Sequence, residues 1–236
     1  MKLSHYTFER PIIFRENITN YLVVEDQKQL SKFLSELRSQ TEGMQGMFTL
    51  SDGNVVLDIK KNMELIIDPF SIDPNSKTAL NRLFTKMKDE AYGDKYKTTD
   101  ELIQMIFSAV QALVNNQTMS ATFEEQLDIV GLFKLLGVKF EYSSESILEN
   151  ICEYVRIERD YSNVRIFVFV NLRCFLSRTE LYELYQFLFY NKISTLFIEN
   201  SIFTANNCEN IKIIDKDLCE IEISPQNSNT STEFEV

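Results

Sequence analysis

The chain is poor in the residues on which many nucleotide and metal enzymes depend. Its 236 residues include one histidine, six glycines and four cysteines. A single histidine, His5, nearly excludes histidine-based catalysis and histidine-rich metal sites. The cysteines are widely spaced and form no C-x-x-C pair, which favours structural thiols in a reducing compartment over a metal site or a disulfide framework.

Long apolar runs are also missing. No segment approaches the roughly 20 apolar residues that span a bilayer, and the first six residues lack the apolar stretch of a signal peptide. With 44% hydrophobic and 25% charged residues, the composition is ordinary for a globular protein. We therefore expect a cytoplasmic protein.

What the sequence does contain is a helix–strand–helix–strand passage in its second half. Helices are predicted at 147–160 and 178–190, and strands that are apolar on both faces at 164–170 and 193–198. Such strands belong to the middle of an α/β sheet that helices cover on both sides. In sheets of this kind a ligand usually lies just past the strand ends.

The strand ends, however, carry no residues suited to a nucleotide. After the predicted strand 21–24 come two acidic residues, 25–26, and no glycine follows until position 43. Two carboxylates repel phosphate and suit helix capping instead, so a conventional ATPase is rejected. The ends at 171–174 and 199–201 hold neither a glycine loop nor a nucleophile beside a base.

The pattern changes in the middle of the chain. Short strands fill much of the first 69 residues, with a hairpin signal at 51–54. Helical segments follow at roughly 75–91, 99–115 and 122–136, of which the second is apolar over more than one face, and 138–140 is predicted to re-enter the sheet. The predicted organisation is an α/β domain at 1–69 and 139–223, a helical insertion at 70–138 and a disordered tail at 224–236.

The one strongly basic stretch of the chain includes the first of these helices. The net charge is −11, yet residues 74–98 carry six basic and three acidic side chains, which gives +3 locally and −14 for the remainder. At about 100° per residue, Arg82 and Lys86 lie opposite the apolar stripe, and Lys77 and Lys88 flank it. A cationic helix face suits contact with a phosphate backbone, and it is also typical of a solvated surface.

Two acidic groups are candidate metal ligands. Asp68 and Asp73 follow a predicted buried strand and could form a metal loop, although an aspartate before a proline is also the pattern of a helix start. Glu124, Glu125 and Asp128 open the third predicted helix. They could collect a calcium ion, or they could simply interact favourably with the helix dipole.

Seven short motifs follow one another along the chain: LVVED at 22–26, DPFSIDPNS at 68–76, FKLLGVK at 133–139, SILE at 146–149, IFVFVN at 166–171, LSRTE at 176–180 and TLFIE at 195–199. In order and spacing they resemble the Csn2 family, whose members are accessory proteins of type II-A CRISPR adaptation modules. The resemblance covers about residues 3–223.

The resemblance implies a specific architecture and role. Members of that family have an α/β head, similar to nucleotide-hydrolase domains but without nucleotide chemistry, and a helical leg. Four copies form a ring whose basic hole takes double-stranded DNA ends, and bound calcium steadies the leg. Members of the family serve spacer acquisition beside the CRISPR integrase and effector nuclease, and the resemblance implies the same role here. The family's acidic stretch before the third leg helix is reduced here to Glu124, Glu125 and Asp128, so the implied calcium site is depleted.

We therefore expect a non-catalytic, homotetrameric binder of double-stranded DNA ends in a bacterial cytoplasm. The residues expected to contact phosphate, chosen from helix geometry, are Lys77, Arg82, Lys86 and Lys88, followed by Lys28 and Lys32. Two other functions stay open. One is a metal-dependent nuclease or phosphohydrolase that uses Asp68, Asp73 and Asn171, and the other is a DNA-independent interaction scaffold of the adaptation complex.

Overall fold

The computed structural model describes residues 1–93, 96–124, 126–142, 146–203 and 209–224. It divides the chain into two units. The first unit consists of Met1–Ile72, Ser143–Arg159 and Asn163–Val236, and the second of Asp73–Tyr142 and Asp160–Ser162. Both helices and strands are present, which confirms the predicted α/β class. None of the described helices is both long enough and apolar enough to cross a membrane.

A small antiparallel sheet is built largely from the start of the chain. The elements in order are β1 (Lys2–Ser4), β2 (Ile12–Ile13), β3 (Thr19–Val24), α1 (Gln27–Thr41), β4 (Thr49–Asp52) and β5 (Val55–Leu57). Four of these strands pair in the order β2-β1-β4-β5. Gly53 closes the predicted β4–β5 hairpin at φ 58°, a left-handed conformation that glycine adopts without steric penalty.

The remaining elements follow in two groups. Helix α2 (Ile59–Asn62) and strand β6 (Met63–Ile66) precede the helices of the second unit, which are α3 (Lys77–Tyr92), α4 (Tyr96–Asn115) and α5 (Ile129–Leu135). The last group is α6 (Ile147–Tyr161), β7 (Ile166–Val170), α7 (Arg178–Tyr190), β8 (Ser194–Glu199), β9 (Glu209–Ile214) and β10 (Glu220–Ile223).

A six-stranded sheet forms the centre of the first unit, in the order β10-β9-β3-β8-β7-β6. All neighbouring pairs are parallel except β9 with β10. One face, with Tyr21 and Phe197, packs against α6 and α7, and the other, with Leu22 and Val168, packs against Phe33 of α1 and the small sheet. Burying each large apolar side chain contributes about 1.5–3 kcal/mol, so these two cores dominate the stability of the unit.

Two predicted elements in the second unit are wrong. The third helix, predicted at 122–136, begins only at Ile129, because the Asp128 carboxylate accepts a hydrogen bond from the backbone N–H of Val130 (3.1 Å) and caps the helix there. Residues 138–140 form no strand. Instead the side chain of Asn75 donates to the carbonyl of Phe140 (3.1 Å) and accepts from its N–H (2.8 Å), so a side chain satisfies the backbone in place of a neighbouring strand.

Strand β9, the tail and the cysteines complete the comparison of the predicted elements with the structure. Strand β9 was not predicted, because Glu209 and Lys212 interrupt its apolar pattern. The predicted tail, apart from Ser224, lies outside the described residues. Of the cysteines, Cys152 is half-buried and Cys174 and Cys219 are exposed thiols, and the fourth, at position 208, also lies outside the described residues.

Candidate nucleic-acid interface

Helix α3 carries four of the predicted phosphate-contacting residues, and its ends follow from local sequence. The Ser76 hydroxyl accepts a hydrogen bond from the backbone N–H of Ala79 (3.3 Å) and caps the first turn. At the other end the N–H of Gly93 donates to the carbonyl of Asp89 (2.9 Å). Leu83 and Phe84 are buried, so the rotation of the helix about its axis is fixed by its apolar side.

The outward side of α3 is bordered by cations on both edges. At about 100° per residue, Lys77 and Lys88 lie along one edge and Arg82 and Lys86 along the other. Arg82 is half-buried and the three lysines are exposed. We call these four residues the α3 basic face. The exposed positions between the two edges are small or acidic: Thr78, Asn81, Thr85 and Asp89. Short side chains between two rows of cations leave room for a phosphate backbone to approach the helix.

One cation of the α3 basic face is already positioned by an aromatic ring. The Lys86 ammonium lies 4.5 Å from the centroid of the Tyr161 ring, whose edge-to-face neighbour is Phe140 (5.0 Å). A cation–π contact at an exposed site contributes only about 0.5–1 kcal/mol, so it orients Lys86 without neutralising its charge. Lys77 and Lys88 are therefore the members of the face with the fewest restraints.

The other two predicted phosphate contacts lie on α1, in the first unit. Lys28 and Lys32 are exposed and are four residues apart, so they share one side of that helix. The Lys32 ammonium donates a hydrogen bond to the hydroxyl of Tyr6 (2.9 Å), which raises the pKa of Lys32. The structure thus places four candidates on one helix face and two on another helix.

The described acidic residues do not make a calcium site by themselves. Glu124 is exposed in a segment without regular secondary structure, and the Asp128 carboxylate caps helix α5. Glu125 lies outside the described residues. Calcium takes six to eight oxygen ligands in proteins. Within the described part of the chain, no three His, Cys, Asp or Glu side chains come together in a way that could hold a metal ion. These donors alone therefore do not fit calcium.

The candidate catalytic carboxylates also have local structural partners. Asp68 accepts a hydrogen bond from the backbone N–H of Phe70 (2.9 Å), and Asp73 accepts one from Asn75 (2.9 Å). Asn171 adopts a left-handed conformation at φ 50°, directly after β7. Both aspartates stabilise turns in this way, a role that needs no bound metal.

A buried polar cluster that the sequence does not predict lies beside the central sheet. The Arg173 guanidinium stacks on Phe203 (3.7 Å to the ring centroid) and contacts the Tyr21 hydroxyl (3.4 Å) and the Glu209 carboxylate (3.7 Å). Tyr185 donates to Glu209 (2.9 Å) and is hydrogen-bonded to Tyr21. Burial raises the pKa values of both tyrosines, which keeps them protonated. Arg173, in the loop after β7, therefore binds side chains of the protein itself.

Sequence comparison identifies the family of the chain. The sequence pattern of the CRISPR-associated protein family Csn2 matches residues 40–218, well over half of the chain. The chain belongs to the Csn2 family. This confirms the resemblance seen in the seven motifs. The α3 basic face lies inside the matched segment of this Csn2-family protein, whereas Lys28 and Lys32 lie before it.

Individual relatives of this Csn2-family protein are distant. The CRISPR-associated protein Csn2 of Enterococcus faecalis is 22% identical over 141 residues, 58% of this chain and 64% of that protein. Csn2 of Streptococcus agalactiae is 22% identical over 138 residues, 57% and 62% of the two chains. The chain thus spans less than two thirds of either relative. The crystal structure of Stu0660 of Streptococcus thermophilus has a similar fold, with a TM-score of 0.58 and 11% identity over 95% of this chain and 77% of that one.

Glu199, at the carboxyl end of β8, should make the stability of this Csn2-family protein depend on pH. The residue is 3% exposed, and burial raises the pKa of its carboxyl from 4.5 to about 7, partly offset by a hydrogen bond from the N–H of Arg173 (3.2 Å). Because the folded state holds this proton more tightly than the unfolded state, the free energy of unfolding should fall as the pH rises from about 4.5 to about 7.

The variant Glu199→Gln should remove that slope. Its neutral amide still accepts the Arg173 hydrogen bond, so at pH 8 it should be more stable than the wild type by about 1–3 kcal/mol. Urea denaturation at pH 5, 6, 7 and 8 measures the difference, with exposed Glu16→Gln as the control. Parallel stability curves for wild type and Glu199→Gln across this range would contradict an elevated pKa.

Proposed function

We propose that this Csn2-family protein is a non-catalytic binder of double-stranded DNA ends that acts in CRISPR spacer acquisition. The observation that carries the proposal is the α3 basic face: four cations on the edges of one outward helix surface, in a chain whose net charge is −11. An acidic protein gains nothing in solubility from collecting cations on one helix. A phosphate backbone is a partner that such a face suits.

The proposed mode of action is binding by a ring of four identical copies. Symmetry would bring four α3 basic faces to one duplex, so that each chain needs only a few phosphate contacts. The surplus negative charge of the chain would then lie on the outside. Affinity should fall steeply with salt and depend little on base sequence, because contacts to phosphate carry no sequence information.

Helix α4 supports assembly into oligomers. Of its described side chains only Thr99 is buried, while Met105 is 71% and Leu113 is 65% exposed. A helix with apolar residues on several faces normally covers them with another element or another chain. We propose that a second copy of this protein covers α4 in the homotetramer.

A binding role is favoured over the nuclease or phosphohydrolase by the contacts of Asp68 and Asp73, two of the three candidate catalytic residues, and of the charged residues at the ends of β7 and β8. Asp68 and Asp73 stabilise turns, and the Glu199 carboxyl is buried against backbone N–H groups. Arg173, which follows the strand end where related folds bind ligands, stacks on Phe203. These groups serve the fold. The proposed partners are therefore the duplex itself and the CRISPR integrase and effector nuclease beside which the family works.

A gel-shift assay tests the proposal. It compares a linear duplex, a covalently closed circle of the same sequence and a single strand, at about 50 and 200 mM salt, and sedimentation in the same buffers gives the oligomeric state. We expect binding of the linear duplex only, weakened at least about a hundredfold at the higher salt. Equal binding of circle and linear duplex would contradict passage of a free end through a ring. No binding at all would favour the interaction scaffold.

The same assay with added calcium or a chelator tests the metal expectation. Because the described donors around Asp128 do not form a site, calcium binding by Glu124, Glu125 and Asp128 stays a prediction. A change in DNA affinity or sedimentation on chelation would support a structural calcium ion in this protein.

A further inference from the structure

A pocket at the edge of the central sheet has the features of a binding site for a small anion. Its volume is about 510 Å³, within the range of about 300–1,000 Å³ that is usual for small-molecule sites. It is in the first unit, away from α3 in sequence, and its walls come from the 10–18 segment and from the ends of β9 and β10. Nothing in the proposed DNA binding uses it.

Two guanidinium groups line this pocket in an otherwise acidic protein. Arg10 lies 3.6 Å from the Glu222 carboxylate, and Arg15 has no carboxylate within ion-pair distance among the described residues. The charge of Glu222 is also engaged by the buried ammonium of Lys212 (2.7 Å). One arginine charge is therefore left without a counterion. Guanidinium groups bind phosphate through two parallel hydrogen bonds, which a lysine does not provide.

Behind the arginines a chain of amides ends in an unused donor. The Ser224 hydroxyl donates to the side-chain oxygen of Asn210 (3.3 Å), and the side-chain NH₂ of Asn210 donates to the side-chain oxygen of Asn20 (3.2 Å). Asn20 is 1% exposed, and its own NH₂ group has no acceptor within the described part of the chain. A buried donor without an acceptor destabilises the folded protein, because it has lost its hydrogen bonds to water. A ligand oxygen that accepts a hydrogen bond from Asn210 would allow the side-chain amides of Asn20 and Asn210 to turn over. The NH₂ group of Asn20 could then donate to the side-chain oxygen of Asn210.

The remaining wall is apolar. Pro11, Ile13 and Ile18 line it, and Ile13 is exposed although it lies in strand β2. Such a wall suits the carbon skeleton of an organic ligand rather than a bare inorganic ion, and the Glu222 carboxylate can accept a hydrogen bond from a ligand hydroxyl or amino group.

We propose that this pocket binds a small organic phosphate monoester, with its phosphate on Arg10 and Arg15, its carbon skeleton on Pro11, Ile13 and Ile18, and a hydroxyl or amino group on Glu222. A ligand of this class matches the pocket in charge, size and polarity. A mononucleotide is a convenient probe of this class, because it combines a phosphate monoester, hydroxyl groups and a flat aromatic base that can pack on an apolar wall.

Calorimetric titration of the full chain at about 150 mM salt tests the proposal. The ligands are adenosine monophosphate, inorganic phosphate and succinate, and the proteins are the wild type, Arg15→Gln, Ile13→Glu and the control Arg38→Gln on α1. Arg15, Ile13 and Arg38 are all exposed, so these variants should keep the fold, which a melting curve verifies.

We expect adenosine monophosphate to bind the wild type with a Kd below about 1 mM and to be displaced by inorganic phosphate. Arg15→Gln and Ile13→Glu should each weaken binding at least about tenfold, and Arg38→Gln should bind like the wild type. Absence of saturable binding to the wild type would overturn the proposal. So would unchanged affinity in Arg15→Gln, or succinate binding as tightly as adenosine monophosphate.

Discussion

The double variant Lys77→Gln/Lys88→Gln should lose at least about tenfold in affinity for a linear duplex at about 100 mM salt. It should also show a flatter dependence of log affinity on log salt, by about 0.9 for each phosphate contact removed. Both lysines are exposed on one edge of the α3 basic face, and neither takes part in the Tyr161 contact that restrains Lys86. In the proposed tetramer the double variant removes two cations from each of the four copies, so the loss of phosphate contacts is multiplied.

The position of Lys77 indicates that its charge does not stabilise the folded protein and is available to bind phosphate. It is the first residue of α3, where the helix dipole and the unpaired backbone N–H groups favour an acidic side chain and disfavour a cation. Removing this charge should leave the free energy of unfolding unchanged to within about 0.5 kcal/mol. A loss of DNA binding in a protein that is fully stable would therefore report on the contact surface alone.

A control of equal charge separates contact from overall electrostatics. Lys61→Gln/Lys216→Gln makes the same change in net charge at two exposed positions of the first unit. Its DNA affinity should stay within about twofold of the wild type, since exposed charges that contact no phosphate are largely screened at about 0.1 M salt. If both double variants weaken binding equally, the protein has no localised phosphate surface on α3. If neither does, the contacts do not use the Lys77 and Lys88 edge of α3, and Arg82 with Lys86, followed by Lys28 with Lys32, are the next candidates.

Local signals explain why α3 and the central strands could be predicted from sequence. The helix predicted at about 75–91 is found at Lys77–Tyr92, so it begins after Ser76, whose side chain caps it, and not at the Asp73-Pro74 pattern. Its end is fixed by a hydrogen bond from Gly93 to Asp89, which is also local. Strand β7 is apolar at every position, and it is buried on both faces as such a pattern requires. In each case the information that decides the structure lies within the segment itself.

Where the decisive partner is distant in sequence, the prediction failed. Residues 138–140 have the alternation of a strand, but the side chain of Asn75 takes both backbone hydrogen bonds of Phe140. The Arg173 cluster could not be predicted for the same reason, since it joins Tyr21, Tyr185 and Glu209 from three separate elements. The pocket at Arg10 and Arg15 likewise depends on β9 and β10, which lie near the other end of the chain.

Strand β9 is the largest element that is not predicted from the sequence, and it contains the buried charged residues Glu209 and Lys212. Substitutions at these positions should affect stability strongly. Lys212 is 2% exposed in the middle of the strand, where its ammonium is paired with Glu220 and with Glu222 (2.7 Å) of β10. The Glu220 carboxylate also accepts hydrogen bonds from the backbone N–H groups of Glu9 (2.9 Å) and Arg10 (3.3 Å). One buried cation thus connects β9, β10 and the 9–10 segment.

The variant Lys212→Met should therefore lower the free energy of unfolding by about 3–5 kcal/mol. Methionine fills the space of the lysine stem but leaves the Glu220 carboxylate, whose side chain is only 6% exposed, without its cation. Breaking a buried pair costs far more than the pair contributes, because an uncompensated charge remains in the interior. Domains of ordinary stability hold only about 5–15 kcal/mol in total, so urea denaturation should show the loss plainly.

The companion variant Lys212→Met/Glu220→Gln identifies the cause of that loss. The glutamine side chain has one acceptor oxygen, so it keeps one of the two hydrogen bonds from the Glu9 and Arg10 N–H groups, but it carries no charge, and the double variant should therefore regain part of the lost stability. Lys216→Met, at an exposed position two residues beyond β9, should change stability by less than about 0.5 kcal/mol. If Lys212→Met behaves like Lys216→Met, Lys212 is solvated and β9 is not held by this pair. The Phe8 ring lies 5.7 Å from the Lys212 ammonium. If the double variant is no more stable than the single one, the loss of stability comes from altered packing against Phe8 and not from the unpaired Glu220 carboxylate.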